Sequence, residues 1–213
     1  SWIGNTSGQF GKNRWTAQAL GGGGTVINAS SNSPPHFGVI EIQSPTTAGN
    51  TYEITSYGAT GILPYGQLRT TPNWMFRATF LLSVTNSGSV FRIGLVDSSY
   101  QSQLNMNNPS NCLWLRWDTR TTDDDNFTFE ARRDAVIQTN GSSVAVRGTT
   151  WFSVTMFSTN ANDVMCQVNS ETPVMLTNIS DVAMCLTANA QGSVTASRLW
   201  IDRMSFMASS MSR

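Results

Sequence analysis

The stretch WMFRATFLLSV, residues 74–84, decides the fold class. Trp74, Phe76, Ala78, Phe80, Leu82 and Val84 share one parity, and Met75, Arg77, Thr79, Leu81 and Ser83 share the other. Successive side chains of a strand point to opposite sides, so this is a half-buried strand with one apolar face rather than a helix, whose apolar stripe recurs about every 3.6 residues. Downstream, VFRIGLVD at 90–97 alternates Phe91, Ile93 and Leu95 with Val90, Arg92 and Gly94, and Asn86, Ser87 and Gly88 supply a turn between the two runs. The pattern predicts a hairpin.

The same period recurs along the chain. CLWLRWD at 112–118 sets Leu113, Leu115 and Trp117 against Trp114, Arg116 and Asp118, and residues 127–133 turn Phe127, Phe129 and Ala131 one way. Residues 150–158 oppose Phe152, Val154 and Met156 to Trp151, Ser153, Thr155 and Phe157, and residues 198–207 oppose Leu199, Ile201 and Arg203 to Trp200, Asp202 and Met204. Shorter strands are expected over 36–42, 52–57, 164–168 and 181–187, and the pair Asn140 and Gly141 reads as a two-residue turn. Many short strands at hairpin spacing predict an antiparallel β-sandwich.

Composition agrees. The 213 residues include 26 Ser, 25 Thr, 18 Asn and 17 Gly, a mixture rich in turn formers and strand-compatible Thr and poor in helix formers. Charged residues make up 12% and balance to a net charge of zero, so the basic excess of a nucleic-acid binder is missing, and no run of about 18 apolar residues predicts a membrane-spanning helix. The first residues lack the basic and apolar regions of a signal peptide. Gly21–24 and the Pro34–Pro35 pair divide the chain into an N-terminal attachment segment with a Gly-rich linker, 1–35, and a sandwich domain, 36–213. Trp2, Ile3, Phe10, Trp15, Leu20, Val26 and Ile27 give that segment apolar groups that must be covered, by its own sandwich or by a neighbouring subunit.

Chemistry-bearing constellations are few. Cys112, Cys166 and Cys185 lie in no metal-ligand spacing and read as buried free thiols, with a Cys166–Cys185 bridge open if their strands are adjacent. His36, the sole histidine, begins a strand after two prolines and reads as structural. A glycosidase needs two carboxylates across a groove; Asp118, Glu130, Asp134 and Asp202 are the ones on or beside expected strands. Asp123, Asp124, Asp125 and Asn126 read as a solvated acidic loop, since consecutive carboxylates splay apart, with a calcium site as the alternative. Trp74, Trp117 and Trp151 are expected in the core. Trp114, sharing a face with Arg116 and Asp118, and Trp200, beside Asp202, are the aromatics that a sugar or a second subunit could stack on. Trp114, Arg116, Asp118 and Trp200 are therefore the candidate ligand or subunit contacts, and no catalytic residue, cofactor site or metal ligand is assigned.

The motif order SGQFGKNRWT, PPHFGVIEIQSPTTAG, WMFRATF, FRIGLVDSS, LWLRWD, FEARRDAVIQTNG, GTTWFSVTMF, VMCQVNSE and RLWIDRMSFM, spanning residues 7–206, resembles bacteriophage virion structural proteins with a concanavalin-like jelly-roll domain. The chain departs from them at NSETPV and in the long Asn- and Gln-rich loop 97–111, of a kind that carries binding surfaces at sandwich ends. The resemblance implies an all-β, antiparallel jelly-roll sandwich. It also implies a non-enzymatic module displayed on the capsid or tail as a fibre head or decoration protein, assembled in the host cytoplasm. Its implied partners are other virion proteins and a host-surface glycan, its implied assembly a homotrimer, with no cofactor. A carbohydrate- or receptor-binding lectin-like domain is the first alternative, and a polysaccharide-degrading enzyme the second.

Overall fold

The computed structural model describes residues 8–10, 15–20, 25–29, 39–56, 73–82, 88–97, 109–120, 126–146, 150–158, 160, 162–182, 184–192 and 197–208. Among them are fifteen strands: β1 Gly8–Phe10, β2 Trp15–Leu20, β3 Thr25–Ala29, β4 Val39–Gln43, β5 Thr51–Thr55, β6 Trp74–Leu82, β7 Val90–Asp97, β8 Cys112–Asp118, β9 Asn126–Arg133, β10 Val136–Ala145, β11 Phe152–Ser158, β12 Val164–Val168, β13 Val174–Leu176, β14 Met184–Gln191 and β15 Arg198–Ala208. They form an eight-stranded sheet in the order β1-β2-β5-β14-β7-β8-β9-β10 and a seven-stranded sheet in the order β13-β12-β11-β6-β15-β4-β3, antiparallel throughout. The protein is an all-β antiparallel sandwich.

Period two builds the core. On β6, Trp74, Phe76, Ala78, Phe80 and Leu82 are buried while the odd residues are partly or fully exposed. The other sheet answers with Phe91, Ile93 and Leu95 from β7, Leu113, Leu115 and Trp117 from β8, and Phe127, Phe129 and Ala131 from β9. Aromatic rings fasten the two sheets: Phe127 meets Phe80 edge-on at 5.7 Å and Phe152 at 4.9 Å. Within the eight-stranded sheet Phe91 stacks on Trp117 at 5.6 Å.

Several expectations are corrected. β6 and β7 are not a hairpin: β7 pairs with β8 and β14, β6 with β11 and β15. The connection crosses between sheets, and Gly88 and Ser89 bond to Thr119 just past β8, which commits β7 to the opposite layer. Asn140 and Gly141 lie inside β10. The turn is Asp134 and Ala135, both left-handed at φ 51° and 66°, so that Arg133 faces Val136 across a two-residue hairpin. Asn140 serves β10 instead as a cross-sheet donor, its amide reaching the Met175 carbonyl at 3.4 Å. The alternation read through residues 198–207 breaks at a bulge between Ile201 and Arg203, which returns Met204 and Phe206 to the core side and turns Arg203 outward. Trp151 is half-buried rather than buried, and the strand expected over 181–187 begins at Met184.

Residues 8–10, 15–20 and 25–29, within the segment expected to be an attachment arm, supply β1 and β2 at one edge of the eight-stranded sheet and β3 at one edge of the seven-stranded sheet. Trp15 is buried in the core. The three cysteines are free and buried, with Cys166 in the inter-sheet core and Cys185 on the outer side of the other sheet, so the bridge held open between them does not form. His36, Asp123, Asp124, Asp125 and loop residues 98–108 lie outside the described residues.

Candidate functional site

The outer face of the eight-stranded sheet is lined with polar side chains that are nevertheless buried. The parity that puts Ile93, Leu115 and Phe129 in the core puts Arg92, Arg116 and Glu130 on the other side, joined on β14 by Thr187, Asn189 and Gln191 and on β5 by Glu53. Strand register arranges them in rows. One row runs Glu130, Trp114, Gly94, Thr187 and Thr55 across β9, β8, β7, β14 and β5; the next runs Thr128, Arg116, Arg92, Asn189 and Glu53.

Gly94 makes the first row possible. A Cβ there would lie 2.4 Å from the Leu113 carbonyl oxygen and 2.9 Å from the Trp114 Cβ, so any larger residue forces β7 and β8 apart. Trp114 is wholly buried, with the Arg92 guanidinium carbon 5.4 Å from its ring centroid. Arg92 donates from Nη1 to Asn189 Oδ1 at 3.2 Å and from Nη2 to Gln191 Oε1 at 3.5 Å. Burial, then repulsion from Arg116, lowers its guanidinium to about 10.

Beside this pair stands an ion-pair ladder. Arg116 donates from Nη1 to Glu130 at 3.1 Å and from Nη2 to Asp118 at 2.6 Å. Arg132 Nε closes on the other oxygen of Glu130 at 2.6 Å, and Arg120 grips Asp118 from Nε at 2.9 Å and from Nη2 at 2.6 Å. Burial pushes the Asp118 carboxyl up, but hydrogen bonds from the Arg120 side chain and backbone and from Arg116 outweigh it and hold it down to about 2. The layer is most open here: the Arg116 and Arg120 side chains are 25% and 43% exposed. Deeper in, the Trp114 Nε1, Thr187 Oγ1 and Asn189 Nδ2 atoms are buried with no hydrogen-bond partner among the described residues, as is Arg116 Nε. Such groups cost about 1–3 kcal/mol each when left unmet.

Of the candidate contacts, Trp114, Arg116 and Asp118 come together in this layer. Trp114 is no exposed platform, because its ring is closed in beneath Arg92. Trp200 is elsewhere, half-buried on the outer face of the seven-stranded sheet, where its Nε1 donates to Glu41 at 2.8 Å. Of the carboxylates considered for a glycosidase, Asp118 and Glu130 share Arg116, whereas Asp134 sits exposed in the β9–β10 turn and Asp202 at the β15 bulge. Sequence reasoning missed Arg92, Asn189 and Gln191; the signal was the run TANAQ, whose Thr187, Asn189 and Gln191 share the parity of Cys185.

No family model matches the chain, and no curated protein sequence matches it. Solved structures do. A protein of unknown function from Shewanella oneidensis MR-1 is 16% identical with a TM-score of 0.60, covering 91% of this chain and 78% of its own. The carbohydrate recognition domain of Emp47p is 11% identical, TM-score 0.57, with 94% and 90% covered. Alginate lyase A1-II', of polysaccharide lyase family 7, is 9% identical, TM-score 0.57, with 85% and 86% covered. At such identities the likeness is one of fold, and that fold is the concanavalin-like jelly-roll β-sandwich.

Proposed function

We propose that this chain is a non-enzymatic binding module whose ligand is a carbohydrate, received at the open end of the eight-stranded sheet's outer face, around Arg116, Arg120 and Asp118. The observation that carries the reading is the half-open arginine–carboxylate ladder there: Arg116 and Arg120 reach the surface while the carboxylates of Asp118 and Glu130 fix their positions from below. Sugar hydroxyls accept from guanidinium groups and donate to carboxylates, so a row of fixed arginines with carboxylates between them suits them. The arginine ladder supports the non-enzymatic half. A general acid must carry a proton near neutral pH, and Asp118 is held ionised far below that range.

The virion setting follows the motif resemblance: a module displayed on a capsid or tail that attaches to host-surface glycan, with three-fold assembly through the N-terminal segment. A glycan array probed with the whole chain, followed by titration calorimetry of any hit, tests the binding. The expected outcome is a saccharide whose affinity falls at least tenfold in Arg120→Ala, whose side chain is 43% exposed, while the melting temperature stays within a few degrees. Release of reducing ends or unsaturated products from that saccharide would reject the non-enzymatic reading.

A further inference from the structure

Among the described residues the sheets end in four edge strands, and they are unequal. β1 and β13 have three residues each and β3 has five, whereas β10 has ten. Short edges are one ordinary protection against edge-to-edge pairing, and charges or prolines on the edge are others. β10 has none of these: VIQTNGSSVA carries no charged residue and no proline. Val136 is 65% and Ile137 52% exposed, among the most exposed large apolar residues described.

The backbone of β10 is set to receive a strand. Because the two-residue turn makes Arg133 and Val136 a hydrogen-bonded pair, the groups of Val136, Gln138 and Asn140 point into the β9 ladder and those of Ile137, Thr139 and Gly141 point away from it. The inward side chains are occupied with the other sheet: Gln138 Oε1 accepts from the Thr177 and Asn178 backbone N–H groups at 2.7 and 2.8 Å, and Asn140 reaches Met175. Regular pairing with β9 runs from Val136 to Gly141 before the register shifts.

We propose that β10 pairs antiparallel with β10 of a second copy of this chain, about a two-fold axis through Thr139, joining the two eight-stranded sheets edge to edge. The regular stretch Ile137 to Gly141 is symmetric about Thr139, so its outward groups form about six ladder hydrogen bonds in that register. Thr139 then faces Thr139 of the second copy, a favourable cross-strand pair, and Gln138 faces Asn140. Ile137 falls opposite Gly141, where nothing lies within 4 Å of the position a Cβ would take, so the bulky side chain meets open space. No like charges are opposed, since the charged ends Arg133 and Asp134 fall opposite Ala145 and Val144. β1 is the opposite edge of the same sheet, so this pairing leaves the N-terminal edge untouched.

Light scattering of the full chain across micromolar to 100 μM concentration tests the pairing. The expected particle contains an even number of chains: twice 23.2 kDa, or six chains if the N-terminal segment also joins three. Thr139→Pro removes an outward N–H that the β9 ladder does not use, and Ile137→Lys puts a charge on the edge; each is expected to halve the particle mass while the far-ultraviolet spectrum stays that of the parent. If the proline variant fails to fold, the lysine variant alone decides. A particle of one or three chains, or an even one that survives Ile137→Lys, overturns the proposal.

Discussion

Phe129 and Glu130 are neighbours in β9, exposed by 0% and 1%, and they face opposite chemistries. Phe129 looks into the layer between the sheets, where carbon packs on carbon and the aromatic rings of Phe80, Phe127 and Phe152 interlock. Glu130 looks outward into a layer that buries it just as fully but opens at its arginine end, and it is held by ion pairs with Arg116 and Arg132. Burial alone therefore does not tell a core from a site. The inner layer gains free energy from every apolar contact, whereas the outer layer must recover the cost of desolvating its charges through pairing.

The comparison breaks first at Trp117→Ala. Trp117 belongs wholly to the inner layer and stacks on Phe91, so its loss is expected to cost about 3–5 kcal/mol in a denaturant melt. A melt within 1 kcal/mol of the parent would remove Trp117 from the core. In the outer layer, Glu130→Ala strands Arg116 and Arg132 and is expected to cost about 3 kcal/mol, with Glu130→Gln recovering part of it. If the alanine variant melts like the parent, the ladder contributes nothing to the fold.

Acid sharpens the contrast, because among the described residues the carboxylates of these two layers lie in the outer one. With Asp118 near 2 when folded and near its ordinary 3.8 when unfolded, its contribution is complete above the unfolded value and is lost as pH falls from about 4 to 2. Melts across that window should show Asp118→Asn with a flatter acid limb than the parent; parallel limbs would deny the carboxylate its role. The smallest effect is expected at Thr187→Val. The Thr187 hydroxyl is buried with no partner among the described residues, so replacing it with a methyl of nearly the same shape should leave stability unchanged or slightly raised; a thermal melt checks this, and a loss of more than about 1 kcal/mol would show that the hydroxyl is bonded.

What could be read in advance divides along the same line. The inner layer was legible because period two marks it residue by residue: the even series of β6 and the odd series of β7, β8 and β9 all point where alternation says. Sheet membership was not, since the 83–89 connection looks in sequence like any hairpin turn and only the bonds from residues 88 and 89 to Thr119 reveal that it changes layers. The outer layer was half legible. Trp114, Arg116 and Asp118 share a parity, which put them together, but a face bearing Arg and Asp reads as solvated. Alternation gives the direction of a side chain and says nothing of what covers it. Arg92, Glu53 and Asn189 come into the same rows through pairings of strands far apart in the chain, which no local pattern encodes.

The three thiols are distributed so that each layer has its own. Cys166 lies in the inner layer, and Cys112 and Cys185 lie with Val96 and Trp114 in the outer one. Burial drives all three upward, Cys185 to about 12, so none offers a thiolate to a modifying reagent while its layer stays shut. Their alkylation rates are then clocks for opening. A reagent that marks Cys112 and Cys185 together, long before Cys166, would time the breathing of the outer layer separately from global unfolding, and a bound ligand that slows the first pair alone would be located by kinetics without a complex structure.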